Sequence, residues 1–219
     1  MKIKAVVFDA YGTLFDVNSA AEKCKDKIGV KWETFANFWR TTQLEYTWLR
    51  SLMRKHKNFW EITEDSLDKS MRVFNINKSM KNELLNLYKI LSPYPEVREV
   101  LEHLKKKNLK LAVLSNGTPN LLSELVASNK LNNLFDDLFS IEEVKVYKPD
   151  RRVYEMPVKK YNVLANEISF LSANTWDVSG AGNFGYNTIW VNRGNNFFDR
   201  LDYKLKNEVK NLKSLNNLI

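Results

Sequence analysis

Three short apolar runs in this chain each end in polar residues of types that can do chemistry together. Ala5-Val6-Val7-Phe8 ends in Asp9, with Gly12 and Thr13 in the turn that follows. Leu109-Lys110-Leu111-Ala112-Val113-Leu114 ends in Ser115-Asn116-Gly117, and Ile168-Ser169-Phe170-Leu171 ends in Ser172-Ala173-Asn174-Thr175-Trp176-Asp177. Runs of this length, rich in β-branched and aromatic residues, read as buried strands. In a parallel sheet their carboxyl ends lie along one edge, where open α/β folds bind ligands. A single polar ending is only the exit into a loop. Three of them, joined by Lys148 in a Tyr147-Lys148-Pro149 turn, bring two carboxylates, an ammonium and several hydroxyl and amide groups into one neighbourhood. A cation beside a carboxylate favours its ionised form, so Lys148 is suited to keeping Asp9 charged.

The elements that must position these groups follow from patterning. The first strand covers Lys4 to Asp9. From Ser19 to Leu91 the chain is polar-aromatic with helical spacing and almost no glycine. Trp32, Phe35, Phe38, Trp39, Tyr46, Leu49 and Met53 mostly fall three, four or seven apart, which predicts one long amphipathic helix. Further helices are expected over 64–74 and 79–91. Ser92-Pro93-Tyr94-Pro95 marks a boundary, because proline disfavours helix at its own position and at the residue before it. Helices then alternate with strands: helices over 96–107, 119–129 and 151–161, a short strand near Phe139, and a fourth buried strand at Thr188-Ile189-Trp190-Val191 after a helix containing Gly180, Ala181 and Gly182. The lysine- and asparagine-rich C-terminal tail reads as peripheral. The predicted class is α/β: a Rossmann-like parallel-sheet core domain, residues 1–16 and 92–219, with an inserted helical cap subdomain, residues 17–91.

Composition narrows the function classes. The chain has 219 residues, enough for one large domain or a core with a smaller companion, and its 44% hydrophobic and 27% charged content is that of a soluble globular protein. No apolar run is long enough for a membrane span. Asp9 interrupts the short apolar run behind Lys2 and Lys4, unlike a signal peptide. One cysteine, Cys24, forbids an intramolecular disulfide and suits a reducing, cytoplasmic setting. The net charge of +8 invites a nucleic-acid reading. The lysines are spread along the whole chain, however, and the densest cluster, 105–107, sits where a helix C-terminus suits cations. No nucleic-acid or membrane partner is expected.

The set Asp9-x-x-Gly12-Thr13-Leu14-x-Asp16, Ser115-Asn116-Gly117, Lys148-Pro149 and Asp177 resembles the haloacid dehalogenase superfamily over essentially the whole chain. Tyr11, the segment Phe38-Trp39-Arg40…Gln43-Leu44-Glu45-Tyr46-Thr47-Trp48-Leu49-Arg50, and Ser172-x-Asn174-x-Trp176-Asp177 look like its L-2-haloacid dehalogenases. Most members of the superfamily are magnesium-dependent phosphatases, with a second aspartate two residues after the first and usually another four residues before the last. Tyr11 and Ala173 stand at those positions here. Mg²⁺ prefers an octahedral oxygen shell with carboxylates, so no metal and no cofactor is expected. Thr41 also departs, standing where close members often carry glutamine.

The resemblance implies a metal-independent hydrolase that converts short L-2-haloalkanoic acids to D-2-hydroxy acids through an ester on Asp9. In that reading Asp9 is the nucleophile and Lys148 keeps it ionised. Asp177 holds Lys148 and directs water, although an aspartate there could also be an ordinary helix N-cap. Thr13, Ser172 and Asn174 bond the carboxylates or the water. Ser115 and the backbone N–H groups around Ala10, Tyr11 and Asn116 receive the substrate carboxylate. Arg40, with Asn174 and Phe59, meets the departing halide, while Tyr11, Leu44, Phe59 and Trp176 wall the alkyl group. Tyr154 lies near the site. A homodimer through the cap helices is also implied. Two other readings stay open at this stage: a magnesium-dependent phosphatase of the same superfamily, and a non-catalytic binding protein on this fold.

Overall fold

The computed structural model describes residues 2–218. At its centre lies β1 (Ala5–Phe8), with all four residues fully buried. It pairs in parallel with β2 (Lys110–Ser115) on one side and with β4 (Ile168–Ser172) on the other. The sheet extends outward through β3 (Asp137–Ser140) beyond β2, and through β5 (Asn187–Val191) and β6 (Asn207–Val209) beyond β4, in the order β3-β2-β1-β4-β5-β6. Strands buried on both faces read as continuous apolar runs, as β1, β2 and β4 do. Phe8 lies opposite Val113 and Leu171. The next residues of β1 and β4, Asp9 and Ser172, therefore leave the sheet side by side. The strand order reverses between β1 and β4, which opens a crevice at the carboxyl edge.

Between β1 and Pro93 the described chain is helical: α1 (Ser19–Lys23), α2 (Lys25–Ile28), α3 (Trp32–Met53), α4 (Phe59–Phe74) and α5 (Lys81–Lys89). The long helix α3 has the predicted extent, but its buried face differs from the apolar pattern. Leu49 and Met53 are 44% and 59% exposed, whereas Thr42, Gln43 and Thr47 are buried. Gln43 and Thr47 are hydrogen-bonded there, Gln43 with Arg40, Thr63 and Tyr88 and Thr47 with the Leu44 carbonyl. The helix α4 begins five residues before the expected start, because Asn58 and Glu61 form a capping box ahead of it. That extra turn carries Phe59.

The remaining helices are α6 (Val97–Lys105), α7 (Pro119–Ser128), α8 (Arg151–Tyr161) and α9 (Thr175–Phe184). The tail is not peripheral. It supplies the parallel edge strand β6, and Val209, Leu212 and Leu215 are buried. Their spacing inside a lysine- and asparagine-rich stretch is enough to cover the sheet edge, although it is too sparse to stand out in sequence. Among the described residues, no helix is long and apolar enough to cross a membrane.

Candidate active site

The carboxyl edge brings Asp9, Lys148 and Asp177 into one buried unit. The Lys148 ammonium lies 3.2 Å from Asp9 Oδ1 and 2.8 Å from Asp177 Oδ2, and its side chain is 1% exposed. It also sits over the Phe170 ring at 5.0 Å. Two carboxylates and one ammonium leave an excess of negative charge, and a buried charge must be met by donors. Those donors converge on Asp9 Oδ2: the Thr13 hydroxyl at 2.9 Å, the Asn174 amide at 2.9 Å and the Ser172 hydroxyl at 3.4 Å. The direction of each hydroxyl proton is set by the backbone. Thr13 Oγ1 accepts from Ala173 N–H at 2.8 Å, and Ser172 Oγ accepts from Asn174 N–H at 3.1 Å. Each hydroxyl then has its proton free for Asp9.

Asp177 is fully buried, at the third residue of α9 rather than its N-cap, which is Asn174. The Asn174 side chain does not cap the helix; besides Asp9 it reaches the Tyr11 carbonyl at 3.2 Å. Burial pushes the Asp177 carboxyl up to about 6; the Lys148 ammonium opposes that rise and the Asp9 charge adds to it. Tyr154 donates its hydroxyl to Asp177 Oδ1 at 2.7 Å. Burial, then the Asp177 charge, raises the Tyr154 phenol well above its ordinary range, so the proton stays on the phenol. Tyr154 is wholly buried among Phe170, Phe184 and Tyr186. Tyr154 is thus near the site, as expected, and reaches it through Asp177.

The turn after Asp9 is tight. Gly12 adopts φ +87°, in the left-handed region, and Leu14 and Phe15 N–H both donate to the Ala10 carbonyl, at 2.9 and 3.1 Å. Sequence patterning missed what fixes this turn from outside. Arg193 donates to the Thr13 carbonyl at 2.8 Å and to Glu96 at 2.7 Å, and lies 3.6 Å over the Tyr94 ring. Burial pushes the Glu96 carboxyl upward, but the bonds from Arg193 outweigh it and leave the group below its usual range. Ser115 Oγ accepts from Gly117 N–H at 3.0 Å, and Asn116 Oδ1 accepts from Lys148 N–H at 3.2 Å. The Lys148–Pro149 peptide bond is cis.

Above the charged unit lies an aromatic wall. The Tyr11 ring sits 5.3 Å from Phe59 and 5.7 Å from Tyr88. Its far end lies against Gly117, where a Cβ would come within 3.0 Å of the Tyr11 hydroxyl oxygen. Arg40 reaches from α3 to 6.0 Å from the centre of the Tyr11 ring. Leu44, one turn further on α3, is half-buried, as is Trp176, which meets Trp48 edge-on at 5.4 Å. Thr41 is exposed, so the departure at that position does not fall in this wall. Among the described residues no three His, Cys, Asp or Glu side chains are grouped to hold a metal. The Lys148 ammonium occupies the position between Asp9 and Asp177, and neither Tyr11 nor Ala173 adds a carboxylate there.

A family model of haloacid dehalogenase-like hydrolases matches residues 3–185. The chain is 40% identical over 215 residues to (S)-2-haloacid dehalogenase 4A of Burkholderia cepacia, covering 97% of this chain and 93% of that one. The crystal structure of a dehalogenase with an intermediate complex is similar at TM-score 0.97 and 38% identity, covering 100% of this chain and 97% of that one. The L-2-haloacid dehalogenase from Xanthobacter autotrophicus with chloropropionic acid covalently bound is similar at TM-score 0.91 and 33% identity, covering 99% of this chain and 98% of that one.

The buried charge unit makes a prediction about stability. Removing the ammonium by Lys148→Met should cost about 3–5 kcal/mol at pH 8, measured by urea unfolding, because two carboxylates are then left unpaired. The cost should be smaller at pH 5. Below about 6 Asp177 takes up a proton in the fold. Without the ammonium the folded state holds that proton more tightly still, so the variant loses stability more steeply as pH rises. An equal loss at both pH values would contradict the pairing.

Proposed function

The chain belongs to the haloacid dehalogenase-like hydrolase family, and from that premise we propose that it releases halide from short L-2-haloalkanoic acids to give D-2-hydroxy acids. The observation that carries this reading is the buried ammonium between Asp9 and Asp177, in a site that offers no carboxylate at Tyr11 or Ala173. Phosphoester chemistry in this family uses a metal held there and an acid for the leaving oxygen. A halide leaving group needs neither.

Asp9 Oδ1 attacks the halogen-bearing carbon from the side opposite the halogen. The carbon–halogen bond breaks, its electron pair leaves with the halide, and an ester forms. Arg40 stabilises the charge developing on the leaving atom, with Asn174 and Phe59 beside it. Tyr11, Leu44, Phe59 and Trp176 exclude water from this step. Ser115 and the N–H groups around Ala10, Tyr11 and Asn116 bind the substrate carboxylate.

Water then attacks the Asp9 carboxyl carbon and gives a proton to Asp177. A carboxylate whose affinity for a proton is raised toward neutrality is the better base. The oxyanion forms on Oδ2, where the Thr13, Asn174 and Ser172 donors already converge. Collapse breaks the bond from the Asp9 carboxyl carbon to Oδ1, Asp177 returns its proton to that oxygen as the product hydroxyl, and the second water proton leaves the regenerated Asp9 carboxyl for solvent. Only the first step touches the chiral carbon, so configuration inverts once.

We read residues 17–91 as a cap over the strand ends, tied to the core by Tyr147, whose hydroxyl donates to the Lys57 carbonyl at 2.7 Å. Leu49, Leu52 and Met53 at the end of α3 are exposed apolar residues that suit a homodimer. The buried free thiol of Cys24 suits the reducing cytoplasm.

The test is halide release from L- and D-2-chloropropionate with a chelator present. Release from the L enantiomer alone, undiminished by chelation and absent in Asp9→Asn, is expected. No release from either enantiomer would overturn the assignment. Sedimentation equilibrium should give twice the 25.7 kDa chain mass, and the chain mass itself would count against the dimer.

A further inference from the structure

Gln43 lies on α3 one turn beyond Arg40 and is 1% exposed. A buried primary amide must satisfy two donors and an acceptor. Its Nε2 donates to Thr63 Oγ1 at 2.7 Å and to the Tyr88 hydroxyl at 3.0 Å, and its Oε1 accepts from Arg40 Nη1 at 2.8 Å. The Tyr88 hydroxyl returns a longer bond to Oε1 at 3.3 Å.

The orientation of this amide follows from its neighbours. The Thr63 hydroxyl gives its proton to the Phe59 carbonyl at 2.7 Å, so its oxygen is left as an acceptor for Gln43. The amide nitrogen must therefore face Thr63, and the carbonyl oxygen must face Arg40. Thr63 is held in turn, since its carbonyl receives the Trp39 indole N–H at 3.1 Å. The chain of bonds runs from the start of α4 through Gln43 to the guanidinium beside Tyr11.

Arg40 differs here from the arginines that form ion pairs. Arg50, Arg98, Arg152 and Arg193 each pair with a carboxylate. Among the described residues Arg40 has no carboxylate in ion-pair contact, and the groups it bonds, the Gln43 amide and the Tyr88 hydroxyl, are neutral. A carboxylate would orient a guanidinium equally well, yet would cancel most of its field. We propose that Gln43 is a positioning residue for the dehalogenation step: it holds Arg40 in place while leaving the cation's charge free for the departing halide. This rests on the halide-release reading above.

Two near-isosteric variants separate charge from geometry. Gln43→Glu keeps an acceptor but makes it anionic, and Gln43→Met removes the acceptor but leaves Arg40 charged. Single-turnover cleavage of L-2-chloropropionate and L-2-bromopropionate is measured for each, with bromide as an added inhibitor. Gln43→Glu should slow chloride release by about 100-fold, the lower end of the range for losing a transition-state charge contact. Bromide release should slow less, because the better leaving group needs less stabilisation, and bromide inhibition should weaken. Gln43→Met should fall between Gln43→Glu and the parent enzyme. A merely structural role predicts Gln43→Glu no slower than Gln43→Met, because Glu keeps the acceptor for Arg40 although both variants lose the donors to Thr63 and Tyr88, and that result would overturn the proposal. If Gln43→Glu does not fold, Gln43→Met decides alone: slower chloride release with little change in KM supports it, and the parent rate overturns it. Failure of the parent enzyme to release halide would instead strike the activity assignment.

Discussion

A lysine ammonium held between two carboxylates, with almost no access to water, is the constraint the rest of the structure serves. Burying Asp9, Lys148 and Asp177 separately would cost far more than the fold could recover. Together they leave one negative charge to be satisfied, and four side chains from three segments supply the donors: Thr13, Ser172, Asn174 and Tyr154. The sheet topology makes this possible. β1 and β4 are neighbours at the point where strand order reverses, so Asp9 and the Ser172–Asp177 segment emerge next to each other. The Tyr147-Lys148-Pro149 turn delivers the ammonium between them.

That arrangement also divides the site into two electrostatic layers. The lower layer, at the sheet edge, is a dense hydrogen-bonded network with little freedom to reorganise. The upper layer is aromatic, with Tyr11 between Phe59 and Tyr88, and it contains one cation held by a neutral amide. In the proposed reaction, a substrate bound between the layers places its reacting carbon over Asp9 and its leaving group toward Arg40. Tyr11 belongs to the turn after Asp9, whereas residues 17–91 supply the rest of the upper layer, Arg40, Phe59 and Tyr88. In the proposed reaction, the helices after β1 thus supply the cation and much of the wall that the sheet edge lacks.

Much of the lower layer was legible in the sequence, because a buried strand ending in a polar residue is a local signal. Asp9, Ser115 and Ser172 each close an apolar run, and the proline after Lys148 singled out its turn. The upper layer was less legible. Gln43 and Thr63 are polar residues inside helices, where side-chain spacing reads them as solvent-facing; only the three-dimensional pairing of α3 with α4 buries them. Arg193 and Glu96 are far apart in sequence, and nothing local marks either as a support for the Thr13 turn. The start of α4 did carry a signal, the Asn58…Glu61 capping box, which outweighs the boundary suggested by apolar spacing. The tail reads as peripheral because composition averages over Val209, Leu212 and Leu215, which the fold buries.

The central claim is that Asp9 itself forms the bond to carbon, with water arriving only afterwards at its carboxyl group. Single-turnover reaction in isotopically heavy water, followed by mass spectrometry of the Asp9 peptide and of the product, tests this directly. The account predicts heavy oxygen in Asp9 and none in the hydroxy acid. Heavy oxygen in the product at the first turnover would mean that water attacks the substrate directly, and would contradict it.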